Sequence, residues 1–350
     1  YFLTPPQQLI YDHYPLATRW QLLENPLTKA EFLASPRVWP SFFENGLGLI
    51  SHRAATIRTS KEVAVYVSAP TDTLLMAGLR QGEQTLPDSQ TFVERDGANY
   101  RIQAAFLQAG EYTLTIFTKK ANDEGAYRGT LEYTVDVAEG DPTNPGFPRV
   151  WPPFFDNQIG FVSHTGGNIR ADGELVVALS APKDVLLLAD LSRGDTKLPG
   201  TYTFTQRVGA EYDVRAAFPG AGEYTLTIYT KKAGDAGAYH STVEYTVQVS
   251  GAVAGLAGYP RSYGAFHESG AVLYGPYSGS LPAGSVQSFR LVVPGAEKVA
   301  VIINNEWHYL ANKDGVFQGD VKITGQDIGV YAKFTGEEQF SGLLRYTSSG

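Results

Sequence analysis

The chain has 350 residues, 43% of them apolar and 12% aromatic, with 37 Gly, 20 Pro and no Cys. That length allows two or three domains, each large enough for a core of its own. A net charge of -8 without a basic stripe argues against a nucleic-acid partner, no apolar run approaches the roughly 18 residues of a membrane span, and the lack of Cys removes disulfides, thiolate metal sites and a Cys nucleophile. The amino terminus shows no secretory signal pattern. A disulfide-free secreted protein and an intracellular one both fit, and the balance leans to an extracellular or cell-surface setting over the cytoplasmic cytoskeleton.

Residues 1–34 differ in character from the rest of the chain. Thr4-Pro5-Pro6-Gln7-Gln8-Leu9-Ile10-Tyr11 reads as a short helix, with Thr4 as its cap and Pro5 in the first turn, where a missing N–H costs nothing. Thr28-Lys29-Ala30-Glu31 before Phe32-Leu33 is a capping-box pattern for a second short helix. Between them Trp20, Leu22 and Leu23 have no apolar partner within so short a segment. Leu9, Ile10, Trp20, Leu22 and Leu23 are therefore expected to pack on the next domain, and also on a partner or a core that precedes them.

From residue 36 onward the chain repeats itself. Pro36-Arg37-Val38-Trp39-Pro40-Ser41-Phe42-Phe43 returns as Pro148-Arg149-Val150-Trp151-Pro152-Pro153-Phe154-Phe155, and a shift of 112 residues aligns 36–138 with 148–250 without a gap. More than half of the aligned positions are identical. A repeat this long is a whole domain, not a solenoid unit of 20–50 residues. Within it Val63, Val65 and Val67 alternate with Ala64, Tyr66 and Ser68, the period-two pattern of a strand. Thr73–Leu79 is a more continuous apolar run, which reads as a central strand, and Tyr100–Phe106, Tyr112–Thr118 and Tyr127–Val137 come next, separated by turns. About seven strands and no long helix suggest an antiparallel sandwich of immunoglobulin-like size. Gly110-Glu111-Tyr112-Thr113-Leu114 supports this, since it matches a tyrosine corner, in which the hydroxyls of Tyr112 and Tyr224 bond nearby backbone.

A short Pro-rich linker over 141–146 and a small-residue linker over 251–258 separate the parts. Tyr259-Pro260-Arg261 then echoes Phe147-Pro148-Arg149, and strand-like runs recur at Ala271–Tyr274, Ser288–Val293, Val299–Asn304 and Gly329–Phe334. The expected fold is all-β: three tandem immunoglobulin-like β-sandwich domains at 35–140, 147–250 and, diverged, 258–350, preceded by a short helical segment over 1–34.

Particular residues carry a family resemblance. Tyr1-Phe2-Leu3-Thr4-Pro5-Pro6, Ile10-Tyr11-Asp12-His13-Tyr14-Pro15 and Trp20-Gln21-Leu22-Leu23 resemble the segment that succeeds the transglutaminase-like core in the kyphoscoliosis peptidase and hillarin family. Tyr259–Gly264 and Leu273–Leu281 are similar to the opening of that family's third domain. The resemblance implies three immunoglobulin-like domains and an upstream transglutaminase-like domain in relatives. It also implies that the family's catalytic Cys, His and Asp lie before residue 1, so that none maps onto this chain.

Each repeat carries a Ser-His pair, Ser51-His52 and Ser163-His164, which invites a nucleophile-and-base reading. Neighbouring strand residues point to opposite faces, however, so the two side chains are not expected to meet, and a structural role is preferred. Trp39, Phe42, Phe43, Trp151, Phe154 and Phe155 are the candidate interaction residues. They could form a sugar platform, but an aromatic turn that closes the end of each sandwich is the simpler reading. Lys119–Gly125 and Lys231–Gly237 read as solvated hairpin tips, since Asp123 and Glu124 lack EF-hand spacing, and no phosphate-binding Gly motif is present. No metal and no cofactor is expected.

The functional expectation is a non-catalytic scaffolding array that meets a protein partner or a second copy of itself. Tyr127–Val137 and Tyr239–Val249 are expected as pairing edges. The alternatives are the accessory, substrate-positioning half of a transglutaminase-like peptidase and, more distantly, a carbohydrate-binding array.

Overall fold

In the computed structural model, residues 4–11, 13–252 and 258–350 are described. Tyr1-Phe2-Leu3, Asp12 and most of the small-residue linker fall outside them. The chain forms two compact units, one ending at Phe147 and one beginning at Pro148. The first holds one sandwich and the second holds two.

The first sandwich is built from β1 (Arg37–Val38), β2 (Gly48–Leu49), β3 (Thr56–Thr59), β4 (Glu62–Ser68), β5 (Thr73–Gln81), β6 (Gln84–Thr85), β7 (Thr91–Asp96), β8 (Asn99–Ala105), β9 (Gly110–Lys120) and β10 (Arg128–Val137). Seven of these have four residues or more, and three are two-residue pieces. The larger sheet runs β1-β10-β9-β5-β6 with β3 also on β10, and the smaller runs β2-β4-β8-β7. Alternate residues of each strand point between the sheets: Val63, Val65 and Val67 from β4, Ile102 and Ala104 from β8, Leu114 and Ile116 from β9. Each strand of the first sandwich recurs 112 residues later in the second, from Arg149–Val150 to His240–Val249. The third sandwich repeats both sheet orders with strands from Arg261–Ser262 to Phe340–Ser349.

Two expectations about strand position are corrected. Thr73–Leu79 is not central: its strand has only the two-residue β6 on its outer side, and its burial alternates in the ordinary way. Nor do Tyr127–Val137 and Tyr239–Val249 offer edges. β10 is flanked by β9 on one side and on the other by β1, antiparallel, and β3, parallel; His240–Val249 is flanked in the same manner. Val247 is fully buried. The chain entering each domain is what closes that edge, a long-range pairing that local composition does not report.

In the amino-terminal segment the first helix is Pro6–Leu9, so Pro5 and not Thr4 takes the cap position, and no side chain bonds the helix end. The Thr28–Glu31 capping box forms as expected. Ile10 is buried, and Tyr11 packs on the first core and lies 5.6 Å from the Phe43 ring. Trp20 and Leu22 stay largely exposed.

Both tyrosine corners are present. The hydroxyl of Tyr112 donates to the Gln108 carbonyl at 2.8 Å, and that of Tyr224 donates to the Gly220 carbonyl at 2.9 Å. A second tyrosine recurs in the last strand of every sandwich. Tyr133 donates to the His52 carbonyl at 2.8 Å and Tyr346 to the Pro276 carbonyl at 2.9 Å, each pinning the loop after the first strand of the smaller sheet. Tyr245 stands at the same place in the second sandwich, but its hydroxyl is buried without a partner.

The two copies therefore form an internal experiment. Removing a satisfied buried hydroxyl costs about 1 kcal/mol, whereas removing an unsatisfied one is neutral or stabilising. Tyr133→Phe should lower the unfolding free energy of the first sandwich by about 1 kcal/mol, and Tyr245→Phe should leave the second unchanged or raise it. Denaturant titration read by hydrogen exchange, domain by domain, checks this. Equal losses at both sites would contradict it.

Candidate functional site

The entrance of each sandwich is a small folded plug. In the first, the Arg37 guanidinium covers the Trp39 ring at 4.6 Å, and Arg149 covers Trp151 at 4.7 Å in the second. Pro at the first helical turn suits the adjoining short helices Pro40–Glu44 and Pro152–Asp156, because those N–H groups would be unpaired anyway. The helices drive Phe42 and Phe154 into the cores, with Phe43 and Phe155 edge-on against them at 5.3 and 5.2 Å. The Trp39 N–H bonds the Thr130 carbonyl and the Trp151 N–H bonds the Thr242 carbonyl, which ties the plug to the last strand. Of the six aromatic residues singled out in the sequence, Phe42 and Phe154 are thus core residues. Trp39, Phe43, Trp151 and Phe155 are half-buried.

The third entrance keeps the design with Arg261 over Tyr263 at 5.4 Å and Phe266 in the core. Its helix adds His267, whose Nε2 is 2.8 Å from the Ser262 hydroxyl, and burial pushes its pKa down to about 4.

The Ser-His pairs do meet, contrary to expectation. Ser51 Oγ lies 2.8 Å from His52 Nδ1, and Ser163 Oγ lies 2.8 Å from His164 Nδ1. The strand argument fails because both histidines lie in loops with φ of 52° and 54°, which turns each ring back onto its neighbour. Each hydroxyl oxygen also accepts a backbone N–H, from Tyr66 or from Ala178, at 2.8 Å. Together the two contacts lock the loop, and burial lowers the His52 pKa, which favours its neutral ring.

The hairpin tips behave as solvated turns. Asp123 Oδ1 accepts the Gly125 N–H and Asp235 Oδ1 accepts the Gly237 N–H, both at 2.8 Å. Among the described residues no three potential metal-ligating side chains cluster.

The site that the sequence reading missed lies inside the second unit, where the second and third sandwiches join. Phe204 inserts among Tyr259, Phe266 and Tyr277, with ring centroids 5.5–6.2 Å away, and belongs to the core of the third sandwich. Around it several polar contacts cross the joint, although the buried Arg215 Nε has no hydrogen-bond partner. Gln206, only 2% exposed, accepts the Leu273 N–H at 2.9 Å and donates to the Tyr277 hydroxyl at 3.2 Å. The Tyr259 hydroxyl donates to Glu174 Oε1 at 2.6 Å, and burial first, then that carboxylate, raises its pKa. Arg215 reaches Glu174 at 3.6 Å and covers the Tyr277 ring at 4.5 Å. One signal was available in the sequence. At the repeat-equivalent positions of the first domain Gln206 is Glu94 and Arg215 is Gln103, whereas Phe204 and Glu174 are kept as Phe92 and Glu62, so part of the joint falls where the two copies differ.

Beside the joint a groove of about 750 Å³ is lined by Leu188, Asp190, Lys197, Tyr229, Tyr239 and Arg261. Lys197 donates to Asp190 at 2.5 Å, a bond that raises the Lys197 pKa and leaves the groove wall with a self-neutralised pair.

Comparison with known proteins places these features. Residues 29–148 and 144–254 each match the family model for the KY-like, immunoglobulin-like domain. The chain belongs to that family. It is 27% identical to mouse kyphoscoliosis peptidase over 363 residues, covering 99% of this chain and 53% of the relative, so it spans about half the length of the curated relatives it matches at full length. A stretch of 75 residues is 37% identical to fruit-fly hillarin, covering 21% of this chain and 9% of that protein. Among solved structures, the titin I67–I69 fragment aligns over 84% of this chain and 95% of its own length at 8% identity, with a TM-score of 0.17. The family-model matches end before the third sandwich, which the sheet order, the entrance and Tyr346 relate to the first two.

The joint and the third entrance each give a measurable outcome. Gln206→Ala leaves the buried Leu273 N–H unpaired, a loss of about 1–3 kcal/mol. Calorimetry should then show the third sandwich melting earlier than in the parent, with the first unaffected. His267 titrates near 6.5 in the unfolded chain and near 4 when folded, so the unfolded state binds the extra proton between these values. The contribution is complete above pH 6.5 and fades as pH falls towards 4, by at most about 3 kcal/mol. His267→Gln should flatten that part of the stability–pH curve; an unchanged slope would contradict the assignment.

Proposed function

We propose that the chain is a non-catalytic array of immunoglobulin-like domains that presents protein-binding surfaces at fixed geometry. The observation that carries this reading is the second–third joint. A flexible linker needs no buried Gln with both ends of its amide paired across the boundary, and a half-satisfied polar group there would cost more than an apolar one. The joint is thus specified, which is what a spacer requires. The half-buried Trp39, Phe43, Trp151 and Phe155 supply aromatic surface of the kind that interfaces favour.

The test uses the Cys-free background. Spin labels on cysteines introduced at exposed Asp235 and Lys313 should give one narrow distance distribution, broadened by Gln206→Ala. A broad distribution in the otherwise native chain would sink the reading. The purified chain should also show no peptidase or transamidase turnover; turnover abolished by His52→Ala or His164→Ala would overturn the non-catalytic assignment.

A second reading, the accessory half of a transglutaminase-like peptidase, is favoured by the amino-terminal segment. Leu16, Trp20, Leu22 and Leu33 are 64–107% exposed there, more apolar surface than so short a segment leaves open without use. Kyphoscoliosis peptidase has nearly half of its length outside the matched region. Trp20→Asp should weaken binding of an added transglutaminase-like domain in calorimetric titration while leaving the melting of the first sandwich unchanged; equal binding by both proteins would remove this reading.

A further inference from the structure

One edge differs among the three sandwiches. In the first, a two-residue turn after β5 leads into β6, Gln84–Thr85, which is polar and exposed; in the second the same hairpin ends in Thr196–Lys197. Both edges are too short to template another strand, the usual protection against unwanted pairing. In the third sandwich the equivalent turn is Asn304-Asn305, with φ of 50° and 68°, and the edge strand continues over Glu306–Tyr309. It also carries Trp307 and Tyr309, 44% and 59% exposed, on one face with ring centroids 6.0 Å apart. Phe340 holds the Trp307 ring edge-on at 4.7 Å, so the aromatic surface is fixed although it is open.

We infer that Glu306–Tyr309 is a self-association edge, and that its occupant is the same strand of a second copy, paired antiparallel about a two-fold axis through His308. The register argues for self-pairing. The Leu310 N–H bonds the Val299 carbonyl inside the sheet. By the alternation of antiparallel ladders, the N–H and C=O groups of Trp307 and Tyr309 then point outward from the edge. A two-fold axis at His308 sets Trp307 opposite Tyr309 of the second copy, and Tyr309 opposite its Trp307. Those are the residues with outward-pointing backbone groups, so the pairing forms four hydrogen bonds and joins two five-stranded paths into one sheet. Two cross-strand aromatic pairs form on one face, the kind of pair that stabilises sheets. Glu306 meets Leu310, so no like charges stand opposite each other. An isologous contact of this type closes at two copies and does not propagate. This goes beyond the array reading and is independent of it, since a stiff monomeric array would survive its failure.

The full chain tests this directly because it has no native Cys. Directly opposed residues of a non-hydrogen-bonded antiparallel pair have Cα atoms about 4.5 Å apart, within disulfide reach. His308→Cys should therefore give a covalent dimer under mild oxidation, and Thr196→Cys at the blunt equivalent edge should not. Sedimentation of the parent chain across a concentration series should show a monomer–dimer equilibrium, weakened about tenfold or more by Tyr309→Lys, with circular dichroism unchanged and with the same melting temperature at concentrations where both proteins are monomeric. Tyr309 is exposed and its own N–H faces outward, so Tyr309→Pro should act likewise without unfolding the sheet. A parent chain that stays monomeric at all concentrations would overturn the inference, and so would a dimer indifferent to Tyr309→Lys and not cross-linked through position 308.

Discussion

The strand that ends each sandwich is held on both sides, and the rest of the architecture depends on that. In the first sandwich β10 pairs with β9 along its length, while β1 and β3 share its other side, one antiparallel and one parallel. The chain must therefore enter the domain beside the strand by which it leaves. This brings the Pro-Arg-Val-Trp plug against the last strand and drives Phe42 into the open end between the sheets. It also makes the last strand the wrong place to look for a pairing edge, and leaves the opposite side of the larger sheet, at β6 and its counterparts, as the margin where the three copies could diverge.

Divergence between the copies reaches core, edge and joint in different ways. Core positions stay apolar at the same register but vary in size, as Val63, Val67 and Ile102 become Leu175, Leu179 and Val214. Some edge and joint positions change in chemical character. Gln206 for Glu94 and Arg215 for Gln103 place neutral and planar groups where the third sandwich docks on the second, and a carboxylate at the buried Gln206 position would carry an unpaired charge. Asn304-Asn305 and the strand after it lengthen a hairpin that is blunt elsewhere. The duplicated domain thus keeps its apolar register, while Gln206 and Arg215 at the joint are new to the second copy.

The Ser-His pairs order the loops that carry them. Hydrogen-bonding of Ser to His is the first requirement for an activated nucleophile, and it is met here in both copies. Yet the hydroxyl already accepts a backbone N–H, the ring is bonded through Nδ1 to its own sequence neighbour, and the loop beneath is pinned in the first sandwich by Tyr133. The interaction orders a loop that carries a non-Gly residue at positive φ, a conformation that needs surrounding contacts to persist.

By itself the sequence determined the number and kind of folding units. The 112-residue period, the alternation in β4, the tyrosine corner at Tyr112 and the Thr28–Glu31 capping box are local signals, set by side-chain periodicity and short-range hydrogen bonding, and each is found where it was read. What required tertiary structure was every feature that depends on partners distant in the chain. Whether Tyr127–Val137 is an edge depends on β1 and β3, which lie at the far end of the same domain's sequence. Whether Ser51 reaches His52 depends on a left-handed backbone that no composition rule demands of histidine. Whether Gln206 is a surface residue or the centre of a joint depends on Leu273 and Tyr277, which only the packing of one sandwich on the next brings to it.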